Sequence, residues 1–151
     1  MNVCMVPVPP SANRMYRIIR GRMYRSSDYM AWLDVAVDCF RRNMRPVEGP
    51  AEVEIVLSTG KGVTVRSDID NLVKPVLDAL QPPSIGEDGN VNKPGAGIIQ
   101  GDDIRLVQKI TTLVVEGDRT TDAFLEVRVF EAHEHYAITF APRSKRKKVA
   151  P

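Results

Sequence analysis

Cysteine is scarce: Cys4 and Cys39 are the chain's two, too few and too far apart for a zinc site or a disulfide framework. Cys4 falls in an expected strand and Cys39 in an expected amphipathic helix, so both read as reduced thiols. Long apolar runs are also missing, and the longest are far short of a membrane span. No basic segment leads into an apolar core near Met1, so no secretory signal is visible and the expected location is the cytoplasm. There is no internal repeat. There is also no glycine-rich phosphate loop, which weakens any reading of the chain as a nucleotide-dependent phosphotransferase. His133 and His135 form an H-x-H pair, but without a nearby partner such as Cys they read as two solvated residues.

What is present fits a soluble α+β domain. With 151 residues, 43% hydrophobic and 26% charged, the chain is long enough to bury one sizeable core. Its net charge of +2 is unevenly spread. Arg143, Lys145, Arg146, Lys147 and Lys148 give the last ten residues a charge of +5, and subtracting this from +2 leaves −3 on the remainder. A second basic group, Arg14, Arg17, Arg20, Arg22 and Arg25, is interleaved with Tyr16 and Tyr24 around Gly21. That pattern suits a hairpin or loop touching phosphates, and equally a solvated ribbon. Two basic clusters on a slightly acidic body point to a polyanionic partner.

The expected order is strand, helix, strand, strand, helix, strand, strand and tail. Residues 1–8 read as an edge strand because of Pro7. Ser26, Ser27 and Asp28 offer caps for a helix whose buried stripe is Leu33, Ala36, Val37, Phe40 and Met44. Residues 51–58 alternate as a strand and lead through Thr59-Gly60-Lys61-Gly62 into 63–69, which predicts an antiparallel pair. The next helix is expected to bury Val73, Val76, Leu77 and Leu80 and to leave Asn71, Lys74, Asp78 and Gln81 on its polar side. Pro75 requires that its first turn be irregular or start late. Residues 81–101 show no periodicity and are too long for an ordinary connection. Residues 104–115 and 122–130 read as a hairpin turning at Gly117-Asp118. The fold class is therefore α+β, two main helices packed on one mixed, mostly antiparallel sheet. A folded domain is expected over 1–140 and a basic, flexible tail over 141–151.

The richest stretch is VTVRSDIDNLVKPVLDAL, residues 63–80. In an extended run Asp68 and Asp70 share a face about 7 Å apart, where their repulsion is best relieved by a hard divalent cation such as Mg²⁺. Lys74, four residues after Asp70, can reach the same place on a helix. D-x-D-N before a helix is also ordinary capping chemistry. The second acidic pair, Asp102-Asp103, adds weight to metal binding.

Three segments in order, PPSANRMYR, SDIDNLVKPVLDAL and GDDIRLVQKI, resemble the RusA family of Holliday junction resolvases over residues 6–130. The resemblance implies a small endonuclease that uses Mg²⁺, with Mn²⁺ as a substitute, and acts as a homodimer on four-way DNA junctions. No membrane and no small-molecule cofactor are implied, and the setting is a bacterial or phage-infected cell. It makes Asp68 and Asp70 metal ligands, Lys74 the catalytic lysine and Asp103 the third carboxylate, with Asp102 beside it. Strand alternation does not decide between Asp102 and Asp103. The arginine group and Lys145, Arg146, Lys147 and Lys148 would hold DNA phosphates. Two features depart from the family, an insertion around residues 82–97 and the basic tail. The insertion leaves open a nuclease with broader choice among branched or flapped DNA. A junction-binding protein that does not cut is the alternative outside enzymes.

Overall fold

The computed structural model describes residues 2–61, 69–103 and 105–132. His133, His135 and the tail with Lys145, Arg146, Lys147 and Lys148 lie outside the described residues, as do Asp68 and most of the expected strand at 63–69.

Four strands form the main sheet. They are β1 (Asn2–Pro7), β4 (Ala51–Ser58), β7 (Val107–Val115) and β8 (Phe124–Glu131), in the order β1-β8-β4-β7. β8 runs antiparallel to both β1 and β4, whereas β7 is parallel to β4. Two small hairpins stand apart from this sheet, β2 (Tyr16–Ile19) with β3 (Arg22–Arg25) and β5 (Ser84–Ile85) with β6 (Val91–Lys93). The helices are α1 (Ser27–Asn43) and α2 (Val73–Leu80), so the expected α+β class, with two helices and a mixed sheet, is what the chain adopts. None of the described helices is long and apolar enough to cross a membrane.

The period-two pattern of the central strands decides which face is buried. Ala51, Val53, Ile55 and Leu57 of β4 point inward with Leu125, Val127 and Val129 of β8 and with Cys4 and Val6 of β1. The alternate residues form a mixed face, in which Phe130, Val56 and Phe124 pair with Glu52, Glu126 and Ser58, and Arg128 lies opposite Glu54 in the register and bonds Glu54 at 3.3 Å and Glu126 at 2.6 Å. Among the described residues, the helices pack on the apolar face. α1 starts at Ser26, whose hydroxyl accepts from the Tyr29 N–H at 3.2 Å, with Asp28 in its first turn and Arg41 and Arg42 in its last. It buries Tyr29, Trp32, Leu33, Ala36, Val37 and Phe40, and Met44 just past its end is buried as well. Trp32 satisfies its indole N–H on the Pro7 carbonyl at 2.8 Å and so ties α1 to β1.

Three expectations are corrected. β4 is paired along its whole length with β7 on one side and β8 on the other, and Ile69, the one described residue of the expected 63–69 strand, belongs to a 3-10 turn. β7 and β8 do not form a hairpin, because β4 lies between them. The Gly117-Asp118 turn is real, with the Asp118 carboxylate accepting from the Thr120 N–H at 2.8 Å. It carries the chain across the end of β4, where Thr59 donates to the Val115 carbonyl at 3.0 Å and its hydroxyl accepts from the Gly117 N–H at 3.2 Å. The third correction concerns Asp78 of α2, which is buried at 3% exposure instead of facing solvent. Pro75 behaves as expected. A 3-10 turn over Ile69–Leu72 precedes α2, so Pro75 sits in the first helical turn, where an amide N–H has no helical partner to lose.

The crossing at β4 leaves no room for a side chain on Gly117: an added Cβ would meet the Thr59 carbonyl oxygen at 2.0 Å and the Ser58 hydroxyl at 2.5 Å. Gly117→Ala should therefore lower unfolding free energy by about 2 kcal/mol through overpacking. Urea denaturation checks this, and wild-type stability in the variant would show that the crossing yields.

Candidate active site

The site is assembled from three segments that meet at the start of α2. The 3-10 turn over Ile69–Leu72 presents Asp70 to solvent and buries Leu72. Lys74 follows in the first turn of α2 with 55% of its side chain exposed. The 3-10 turn over Ala12–Arg14 touches the Ile69–Leu72 turn and brings the arginine ribbon to the same place. Asp102 and Asp103, both exposed, stand just before β7.

Beneath Lys74 lies Asp78, which ties the first turn of α2 to α1 and β6. Its Oδ2 accepts from the Tyr29 hydroxyl at 2.8 Å, and its Oδ1 accepts from Lys74 Nζ and Lys93 Nζ, each at 3.1 Å. Tyr29 comes from α1, Lys74 from one turn earlier in α2, and Lys93 from β6. Lys93 is itself mostly buried, its side chain 13% exposed against 55% for Lys74. Burial alone would push the Asp78 carboxyl toward its neutral form, but the bonds from Tyr29, Lys93 and Lys74 outweigh it and hold its pKa below the usual carboxylate value. Tyr29 is shifted well upward, first by burial and then by donating to Asp78, so it remains a hydroxyl donor. Burial also works against the Lys74 charge, yet the bond to Asp78 and the charges of Asp78 and Asp102 leave its pKa raised. Lys74 is an ammonium at neutral pH.

This geometry sorts the residues marked in the sequence. Lys74 is paired to Asp78, four residues later, and not to Asp70, four residues earlier; both spacings are helical, but Asp70 lies in the 3-10 turn before α2 begins. Asp102 is near enough to Lys74 to raise its pKa. Asp103 turns toward Arg105, accepting from its backbone N–H at 2.8 Å and from its guanidinium at 3.1 and 3.2 Å, which lowers the Asp103 pKa. Its carbonyl also accepts from Leu106 and Val107, both at 2.9 Å, and so launches β7. Among the described residues no three His, Cys, Asp or Glu side chains converge as a metal site. Asp68, on which the expected carboxylate cluster depends, lies outside them. Arg14, Arg17, Arg20 and Arg22 are exposed. Arg25 is turned back instead, its guanidinium donating to the Asn92 carbonyl at 3.0 Å.

Sequence reasoning missed Tyr29, Asp78 and Lys93. Residues 81–101 also turn out to be structural: the Ala96, Ile98 and Ile99 amides donate to Ala79 and Leu80 carbonyls at the end of α2, at 2.8, 2.8 and 3.2 Å, and both isoleucines are buried. An acidic residue four positions after a lysine was the available signal for Asp78, and a lysine inside the loop the signal for Lys93.

The described residues define an α+β protein that presents exposed carboxylates, a paired ammonium and an arginine ribbon. The family is given by comparison with known proteins. The chain belongs to the RusA endodeoxyribonuclease family, whose model, described as Endodeoxyribonuclease RusA, matches residues 6–111. It is similar to the crossover junction endodeoxyribonucleases RusA of Escherichia coli, Shigella sonnei and Enterobacteria phage 82, each 35% identical over 75 residues. Those matches span 50% of this chain and 62% of each relative.

Removing the Asp78 charge should cost stability, because Lys93 would be left buried without its counter-ion. Asp78→Asn is expected to lose about 3 kcal/mol at neutral pH. Since the folded pKa of Asp78 lies below its unfolded value, its contribution is complete above about pH 4 and is lost as pH falls through the folded value. The gap between wild type and Asp78→Asn should therefore close in acid, as measured by urea denaturation at neutral pH and below about pH 4. A gap that persists unchanged in acid would contradict the assignment.

Proposed function

We propose that this chain is a metal-dependent endodeoxyribonuclease that resolves four-way DNA junctions by paired phosphodiester hydrolysis, acting as a homodimer in the cytoplasm. The observation that supports this reading is the exposed Lys74 ammonium, held by Asp78 one turn after the exposed Asp70, in a RusA-family chain.

Asp68, Asp70 and Asp103, with Asp102 beside it, supply only carboxylate oxygens, the hard donors that suit Mg²⁺ or Mn²⁺. The low Asp103 pKa supports its being ionised at neutral pH. When bound, the ion would orient water and neutralise phosphate oxygens. Lys74 places a point charge where negative charge develops on the attacked phosphate, and Asp78 keeps that ammonium from swinging away. Arg14, Arg17, Arg20 and Arg22 hold phosphates on either side, and Lys145, Arg146, Lys147 and Lys148 of the tail add affinity that falls as salt rises. One chain carries one such site, so two symmetric cuts require two copies.

A second reading, broader choice among branched or flapped DNA, is favoured by the β5–β6 hairpin, which brings Lys93 into the site itself. Cleavage of junction, flap, nicked and linear duplex side by side separates the two readings.

Wild-type protein with Mg²⁺ should give paired symmetric nicks in a synthetic four-way junction and leave linear duplex intact. Asp70→Asn and Lys74→Ala should each lower the cleavage rate by at least about a hundredfold while retaining junction binding, and a chelator should abolish cutting. Tight junction binding with no cutting under any divalent ion would instead support a protein that only binds junctions.

A further inference from the structure

We propose that the tip of the β2–β3 hairpin is a wedge, with Ile18 and Met23 entering the stack of base pairs at the branch point of the DNA. This rests on the reading of the chain as a junction-binding protein and goes beyond it by naming the contact that opens the junction.

The hairpin turns on Arg20 and Gly21, with φ of 50° and 76°, the backbone of a two-residue turn that keeps both strands in register to the tip. Ile18 lies directly opposite Met23, and Ile19 opposite Arg22. Ile18 is 76% exposed and Met23 68%, the most exposed large apolar side chains of the described residues. Ile19 and Tyr24 are exposed on the other face of the ribbon. An apolar cluster at the point of a projecting ribbon is a surface for a partner.

Charge identifies that partner. Residues 14–25 contain five arginines and no acid, so a second copy of this ribbon would meet its own charge, whereas DNA would not. Aliphatic side chains and Met flanked by arginines match the surface of a base step between two phosphate strands, and a two-stranded ribbon fits a DNA groove. In the open form that a four-way junction takes without divalent ions, the base pairs at the branch point have a stacking neighbour on one side only, so a wedge enters there at lower cost than within continuous duplex.

The base of the ribbon is anchored beside the site. The Ser26 N–H donates to the Met15 carbonyl at 2.8 Å, Arg25 to the Asn92 carbonyl at 3.0 Å, and the Tyr16 ring lies 6.4 Å from that of Tyr29. From Tyr16 to Ile19 the strand advances about 10 Å, so the apolar pair stands well clear of that anchored base.

The test uses a four-way junction carrying 2-aminopurine at the branch point, bound in EDTA so that it is not cut. Wild-type protein should raise the fluorescence several-fold as the base unstacks. Ile18→Ser/Met23→Ser should bind the junction with the same salt dependence, because every arginine remains, but give less than half of that rise. Both side chains are exposed, so an unchanged thermal midpoint is expected for the variant. A full rise with the variant, or no rise when wild type is bound, overturns the wedge. Loss of dimerisation by the variant in sedimentation would make the tip a contact between copies and also overturn it. Failure of wild type to bind the junction at all would overturn the underlying reading and the wedge with it.

Discussion

A single buried carboxylate holds the site together. Asp78 sits at 3% exposure with one hydroxyl and two ammonium groups as partners. A charge in that position is tolerated only when its lone pairs are satisfied by donors of opposite or neutral character. Each donor comes from a different stretch of chain, so satisfying Asp78 brings α1, the first turn of α2 and the β5–β6 hairpin into one arrangement. Lys74 is the exposed member of this network and is thereby fixed where it can face a phosphate. The remaining tie runs through aromatic packing: Tyr16, at the base of the arginine ribbon, lies against Tyr29, which stacks on Trp32 at 6.5 Å between ring centroids.

The sheet supplies the frame for this arrangement. Because β7 is parallel to β4, the chain must cross over between them, and the crossover is the segment that carries Asp70, Lys74, Asp78, Lys93 and the Asp102-Asp103 pair. Asp103 ends the crossover by capping the backbone that enters β7. The acidic and basic residues thus lie on one connection whose two ends are pinned to adjacent strands. The helices cover one face of the sheet, and the ion pairs of Glu54 and Glu126 with Arg128 line the other.

Local signals in the sequence carry the local structure. The period of α1 and its Ser26 cap, the alternation of β4 and β8, and the irregular turn before Pro75 each depend on residues within a few positions of one another. Pairing did not follow from such signals. A turn at Gly117-Asp118 after one strand and before another reads as a hairpin, and nothing nearby in the chain reveals that β4 fills the gap between β7 and β8. The same limit applied to Asp78. On helical spacing it belongs to the polar side, and its burial depends on Tyr29, 49 residues earlier, and Lys93, 15 residues later. The loop at 81–101 has no periodicity because it is neither helix nor long strand. Its order comes from Ile98 and Ile99 entering the core and from amides that close the end of α2.

The central claim is that Asp78 positions Lys74 for work on a DNA phosphate. Single-turnover cleavage of a four-way junction by Asp78→Asn, at a temperature where the variant is fully folded, tests it most directly. The rate should fall by about a hundredfold while the dissociation constant for the junction stays close to that of wild type, since the exposed arginines are untouched. A folded Asp78→Asn protein that cuts at the wild-type rate would contradict the claim.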